Sequence, residues 1–229
     1  MTESIKDKVA IVGMGCTRFG ELWDKDINDL IYDATFEALD DAGVDVQDIQ
    51  AVWLGTVWGG QSAEGSGIVT GSLVSSALSL QYIPVTRVEN ACGTGAETVR
   101  GAAYAVAAGA CDLILAIGVE KLKDVGFGGL GALQPGRNSP VYGVGGTAPG
   151  RYAMAATRYF ARYGLSPEEG KKLLAMISVK SHHNGARNPL AHLRREITVE
   201  QVLNAPIIAW PLGLFDCCGV TDGAAAAVM

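Results

Sequence analysis

The stretch Val85-Thr86-Arg87-Val88-Glu89-Asn90-Ala91-Cys92-Gly93-Thr94-Gly95 decides how this chain is read. Val85 to Val88, just after Pro84, is a short run with β-branched residues and predicts a strand. The alanine-rich segment from about Gly95 to Ala108 predicts a helix. Between them lies a turn that carries Cys92, with Gly93 and Gly95 directly behind it. Strand, tight turn and helix in that order are the repeating unit of layered α/β sheets.

Working outward, the same alternation recurs. Lys8 to Gly13 is a nearly continuous apolar run that suits a strand buried on both faces. Ile27, Leu30, Ile31, Ala34, Ala38 and Leu39 fall at helical spacing, and Gly43 is placed to end that helix. Ala51 to Val57 reads as a second strand; a loop with Gly59, Gly60, Gly65 and Gly67 leads into a helical run from about Ile68 to Leu80. Leu113 to Ile117 is a fourth strand and Ala224 to Met229 a fifth. The alternation predicts an α/β layered sheet with right-handed crossovers.

After Glu120 the texture changes. Nine glycines fall in the 25 residues from Gly126 to Gly150, too many for a regular core element, and loops of such length are usually functional. Helical pattern returns at Arg151 to Tyr163. Ser166-Pro167-Glu168-Glu169 forms a capping box with proline at the first helical position and opens a helix to about Asn184. Thr198 and Gln201 start another short one. Residues 1–120 with 216–229 thus read as one core, and residues 121–215 as an insertion between two of its strands.

Composition narrows the function classes. The 229 residues include 18 Lys and Arg against 24 Asp and Glu, a net charge of −6, with 48% apolar and 18% charged residues. That apolar content excludes a disordered chain, and the acidic balance argues against nucleic-acid grooves or polybasic membrane patches. Five cysteines in no disulfide-framework or zinc-ribbon spacing, with no secretory signal in the first residues, point to a reducing, cytoplasmic setting. The apolar stretch from Gly101 to Val119 contains Asp112 and two glycines and reads as helix then strand, so no membrane partner is expected.

Cys92 is the candidate catalytic residue. A thiol at a helix N-terminus meets unpaired N–H groups and the positive end of the helix dipole, which favour thiolate. The same N–H groups can receive an oxyanion when a thioester carbonyl is attacked. The competing reading is a small buried cysteine in a tight turn, and the residues alone leave both open. Gly13-Met14-Gly15 follows an apolar run, but Arg18 stands where a dinucleotide fingerprint needs its third glycine. His182, His183 and His192 have no companion ligands at metal spacing, so no metal site is expected. Cys16 and Cys111 read as core, and Cys217-Cys218 as packing near the site. Arg137, Arg151 and Arg187 fall in or near the insertion and could meet phosphates; cofactor-binding residues stay unassigned.

Four segments, in order along the chain, carry a resemblance. They are Val9 to Arg18 with Phe19-Gly20, the turn Asn90 to Gly95, Leu115 to Lys121, and Phe215 to Ala226; the stretches Lys180 to Asn184 and Asn188-Pro189 add to them. The chain resembles the N-terminal half of the thiolase superfamily, in its sterol-carrier-protein-type branch that includes acetyl-CoA acetyltransferases. The resemblance implies a layered α-β-α half with a mixed five-stranded sheet and an inserted loop domain over the substrate and CoA. It implies an acyl-CoA C-acyltransferase in which Cys92 becomes acylated during cleavage of a 3-oxoacyl-CoA or the reverse condensation.

The resemblance also implies coenzyme A as co-substrate with no permanently bound cofactor, a homodimer or higher oligomer, and in some relatives a zinc-ribbon/OB-fold partner protein. The family's C-terminal half supplies further catalytic groups, including a Gly-His-Pro-type histidine and a second cysteine, in motifs that do not occur in these 229 residues. An isolated half is expected to expose the face that its partner half covers. A non-catalytic or half-site subunit of a heteromeric assembly, or another condensing enzyme of the fold, are the alternatives.

Overall fold

The computed structural model describes residues 4–57, 70–124 and 147–229. The glycine-rich loops at Gly59 to Gly67 and Gly126 to Gly146, Arg137 and the start of the helical run at Ile68 lie outside the described residues. The chain divides into two compact units, residues 1–126 with 221–229, and residues 127–220.

The first unit is an α/β sheet. Its strands are β1 (Gly13–Cys16), β2 (Ala51–Gly55), β3 (Val85–Val88), β4 (Ile114–Glu120) and, after the second unit, a last strand Gly223–Val228, here β7. Their order is β1-β7-β4-β2-β3. β2 runs parallel to both β3 and β4, whereas β7 is antiparallel to both β1 and β4, so the sheet is mixed. Three helices accompany it: α1 (Ile27–Ala42), α2 (Gly71–Ala77) and α3 (Thr94–Ala107).

Strand alternation sorts the side chains between two faces. Val52, Leu54, Leu115, Ile117, Ala224, Ala226 and Val228 pack with Leu30, Ile31, Ala34 and Ala38 of α1 and Val74 of α2. On the other face Ala51, Trp53, Ile114 and Ala116 pack with Ala102 and Val106 of α3. α1 begins at Asp26, whose carboxylate accepts the N–H of Asn28 and Asp29, and ends at Gly43 with φ +69°. Only a residue free of a Cβ adopts that left-handed cap without cost.

The first strand differs from its expectation. The apolar run Lys8–Val12 precedes the strand, and Ile11 and Val12 are about half exposed instead of buried on both faces. β1 is an edge strand that gains burial on the α1 side only. There a Cβ on Gly13 or Gly15 would lie 2.2 Å from the carbonyl oxygens of Ala38 and Ala34. The two glycines therefore let α1 lie directly on the strand backbone, which is why they follow an apolar run without any nucleotide-binding loop. The outward N–H groups of Met14 and Cys16 donate to Asp41 Oδ2 (2.9 Å) and Glu37 Oε2 (2.7 Å). Capping an edge with carboxylates keeps it from templating another strand.

Other elements shift only at their ends. The second strand stops at Gly55, the fourth runs on to Glu120, and the described part of the second helix covers Gly71–Ala77. Among the described residues no helix is long and apolar enough to cross a membrane.

The second unit holds α4 (Ala148–Tyr163), α5 (Pro167–Arg187), α6 (Val199–Leu203) and a two-stranded hairpin, β5 (Ile207–Ala209) with β6 (Leu212–Gly213). Ser166 and Glu169 form the capping box of α5, and Thr198 and Gln201 that of α6. The helix α5 continues three residues past Asn184, and the hairpin is an element without a sequence signal, since its strands are two and three residues long. Phe160 of α4 lies on Gly170 of α5, where a Cβ would stand 2.5 Å from the ring. Ala175, Ile197 and Val202 form the unit's apolar core. Beside it the buried Lys171 ammonium pairs with Asp216, whose carboxylate also accepts from Ser178 Oγ (2.8 Å) and Gly213 N–H (2.7 Å).

Candidate functional site

The sheet topology itself marks a site. The chain leaves β2 through α2 to β3 on one side, then leaves β3 through α3 to β4 on the other side of β2. The two connecting helices lie on opposite faces of the sheet. Where outgoing connections part in this way, a crevice opens at the carboxyl ends of the strands, and ligands bind there in open α/β sheets. The residues at that edge are Thr56 and Val57 after β2, Glu89 to Gly93 after β3, and Glu120 at the end of β4.

Cys92 lies in a single 3-10 turn, Ala91 to Gly93, that runs directly into α3. The backbone enters this turn through an unusual conformation. Asn90 has φ −151° and ψ 52°, and Ala91, a residue with a Cβ, has φ +44°. Left-handed backbone at a non-glycine residue costs free energy and persists only where neighbours enforce it. Three sets of hydrogen bonds do so here. Glu89 Oε1 accepts the N–H of Ala91 at 2.6 Å, and Gly93 N–H donates to the Asn90 carbonyl at 2.8 Å. Thr94 Oγ1 accepts the N–H of Asn90 at 2.9 Å and donates to the Ala91 carbonyl at 2.7 Å.

The buried-cysteine reading of Cys92 does not hold: its side chain is exposed, as is that of Cys218 in the second unit, while Cys16, Cys111 and Cys217 are partly buried. Burial, with the Glu37 carboxylate adding to it, pushes the Cys16 thiol above its ordinary range. Burial also raises Cys217, with Asp216 and Cys218 contributing and Lys171 opposing. Cys111 packs against the α3-side core, as its sequence reading has it.

The neighbouring strand ends are tied together. Glu120 Oε1 accepts the N–H of Val57 and the hydroxyl of Thr56 (3.3 Å), and Arg87 Nη2 donates to the carbonyls of Thr56 (3.1 Å) and Val57 (3.3 Å). Nothing in the sequence patterning distinguishes Glu120 or Arg87, because their partners lie about 63 and 31 residues away. Close approach of α3 to β2 completes the frame. A Cβ on Gly55 would stand 2.1 Å from Thr98 Oγ1 and 3.2 Å from Thr94 Cγ2.

Three of the four segments that carry the resemblance meet at the start of β7. Gly20 and Asp222 exchange backbone hydrogen bonds (3.2 and 2.8 Å). The Asp222 carboxylate accepts from Lys121 Nζ (2.9 Å) and from the N–H groups of Leu22, Leu122 and Lys123 (3.1, 2.7 and 2.8 Å). The Phe19 ring rests on Gly223, where a Cβ would lie 2.3 Å from it. These residues build the junction that the chain crosses on leaving and re-entering the first unit.

The histidines do not gather. His182 Nδ1 contacts the Arg195 carbonyl (3.0 Å) and its ring meets Phe215 edge-on, whereas His183 Nδ1 lies 3.2 Å from Glu196. No group of three metal-ligating side chains occurs among the described residues. Arg187 is engaged with the His183 carbonyl and Glu196.

On the α3 side of the sheet an open apolar cleft remains, lined by Met14, Cys16, Val99, Ala116, Ala225 and Ala227. Met14 is 63% exposed, and Val99 and Tyr104 of α3 are also exposed.

Comparison with known proteins agrees with this architecture. The family model described as Thiolase, N-terminal domain, matches residues 9–229. The acetyl-CoA acetyltransferase of Methanothermobacter thermautotrophicus is 39% identical over 221 residues, covering 96% of this chain and 56% of that protein. The benzoylsuccinyl-CoA thiolase subunit BbsB of Thauera aromatica is 34% identical, covering 98% and 56%. The chain thus spans about half the length of these curated relatives. Among solved structures, the Ltp2-ChsH2(DUF35) aldolase superposes with a TM-score of 0.73 at 27% identity, over 96% of this chain and 54% of that one. A monomeric SCP2-thiolase-like protein from Mycobacterium smegmatis gives a TM-score of 0.72 at 21% identity, over 96% and 45%.

Proposed function

This chain belongs to the thiolase family, as its N-terminal domain, and from that premise we propose that it carries the nucleophile of an acyl-CoA acyltransferase, Cys92. The observation that supports this most is the placement of an exposed thiol on a strained turn at the start of α3. That turn lies at the carboxyl end of a parallel strand beside a topological switch point.

In the degradative direction the Cys92 thiolate attacks the 3-keto carbon of a 3-oxoacyl-CoA. The bond between C2 and C3 breaks, its electron pair leaves with C2, and protonation there releases the shorter acyl-CoA. The thiol of free CoA then attacks the acyl-cysteine thioester, yielding the new acyl-CoA and restoring the thiolate once its proton is removed. The backbone N–H groups of the first turn of α3 are oriented to favour negative charge. The proton-transfer groups come, in this reading, from the half of the relatives' length that this chain does not span. That half would cover the open face at Met14 and Val99. CoA is a co-substrate, and residues 121–215 are, in this reading, the inserted loop domain.

Iodoacetamide labelling tests the nucleophile. Cys92 should be modified before Cys218, although both are exposed, and acyl-CoA should protect Cys92 alone. Equal rates at the two cysteines would remove the case for an activated thiol. A second reading, a subunit within a heteromeric assembly, draws on the relative that is named a thiolase subunit and on the aldolase whose name carries a DUF35 component. Native mass spectrometry of the protein purified from its source separates the two by the presence of a second polypeptide.

A further inference from the structure

Resting on the assignment of Cys92 as nucleophile, we propose that Thr94 is a positioning residue of the site. Its hydroxyl clamps the left-handed Ala91 backbone and so sets the direction in which Cys92 leaves the turn. The hydroxyl spans the residue before the cysteine, accepting from Asn90 N–H at 2.9 Å and donating to the Ala91 carbonyl at 2.7 Å. Both of its hydrogen-bonding roles are thus used on the two peptide groups that flank the Asn90–Ala91 link. Thr94 is itself 7% exposed, so water does not readily replace it.

The two ends of the Thr94 side chain do different work. Its methyl, Cγ2, faces Gly55 of β2, 3.2 Å from where a Cβ would stand, and contributes packing between α3 and the sheet. Its hydroxyl faces the turn. Valine keeps the shape and the packing but loses both hydrogen bonds; serine keeps the hydrogen bonds but loses the methyl. A purely structural role and a positioning role therefore predict opposite rankings of the two variants. Glu89, which holds the Ala91 N–H from the other side, keeps the turn from collapsing altogether when the hydroxyl is removed.

The experiment compares wild type, Thr94→Val and Thr94→Ser in the full protein. Readouts are the iodoacetamide rate at Cys92 across pH, with Cys218 as internal reference, and hydrogen exchange of the Asn90 amide. Thr94→Val is expected to slow Cys92 modification on the order of tenfold, the effect of one to two lost hydrogen bonds. It should also speed exchange of the Asn90 amide, while Cys218 reacts unchanged. Thr94→Ser is expected to stay near wild type in both readouts even if it melts at a lower temperature. If Thr94→Val labels like wild type, or if Thr94→Ser is the more impaired at Cys92, the assignment is overturned. Wild-type protein in which Cys92 is no faster than Cys218 overturns instead the nucleophile reading on which it rests.

Discussion

Lys121 Nζ lies 2.9 Å from Asp222 Oδ2, joining the end of β4 to the start of β7 through a pair of side chains that are 3% and 0% exposed. The Asp222 carboxylate also takes three backbone N–H groups, so a charge that burial alone would expel is fully hydrogen-bonded. Burial opposes its ionisation, but the N–H of Lys123, the Lys121 ammonium and the N–H groups of Leu22 and Leu122 outweigh it and hold the carboxyl below the ordinary range. Lys121 responds in kind: burial disfavours its charge, and Asp124 and Asp222 more than compensate, raising it.

Asp222→Asn should therefore destabilise the protein by about 3–5 kcal/mol, because it leaves the Lys121 charge buried with only its partly exposed partner Asp124. Denaturant unfolding reads this as a lower midpoint. The same pair sets a pH window. Folding lowers the Asp222 carboxyl below its unfolded value of about 3.9, so its contribution is complete above that pH and is lost as pH falls through the folded value. Folding raises Lys121, so its contribution is complete below about pH 10.4 and is lost as pH rises through the folded value. The part of the acid-limb loss that Asp222 contributes should be absent in Asp222→Asn, so its stability should fall less steeply in acid than that of the wild type.

Gly15→Ala should cost at least about 1–3 kcal/mol, the usual range for overpacking, since the new methyl would meet the backbone of α1, which cannot swing aside. Gly95→Ala is the matched control: nothing lies within 4 Å of its Cβ position, and alanine's better helix propensity should leave stability equal or up to about 1 kcal/mol higher. Thermal unfolding of the two variants side by side decides the point.

In the second unit, Lys171→Met should destabilise by several kcal/mol, on the order of 3–5, because it strands the buried Asp216 carboxylate. Adding Asp216→Leu should recover only part of the loss, since Gly213 N–H and Ser178 Oγ then lose their acceptor. A double-mutant cycle by chemical denaturation measures the coupling; full recovery would mean that those two hydrogen bonds contribute nothing.

Cys92→Ser should abolish acyl-enzyme formation while leaving the unfolding midpoint near wild type, because the side chain is exposed and packs in no core cluster. Intact-mass measurement after exposure to acyl-CoA reads the adduct directly. An adduct of unchanged yield in the variant would place the acyl group on another residue.

Much of the local architecture was legible in advance. The capping boxes at Ser166 and Thr198, the Gly43 helix stop and the turn at Cys92 all rest on interactions within three or four residues. Such geometry is written in neighbouring residue types. The first strand was less legible, because the apolar run Lys8–Val12 gains its packing value only from what lies opposite. There Val9 packs against the α3-side core, while Ile11 and Val12 stay about half exposed. The resemblance flagged Phe19-Gly20, Lys121 and Asp222-Gly223 as characteristic residues, but gave no hint that they join in one structural knot.

By itself, the sequence determined the α/β alternation, the helix ends and the one thiol set between strand and helix, because backbone propensity and capping act over short spans. Only the tertiary structure decided the strand order, with β7 inserted antiparallel between β1 and β4. It also decided that Gly13 and Gly15 serve helix packing, and that Ala91 is held at φ +44°. The physical reason is range. Lys121 and Asp222 are 101 residues apart in the chain. Their mutual neutralisation, like the collision that a Cβ on Gly15 would suffer, exists only once distant segments have been brought together.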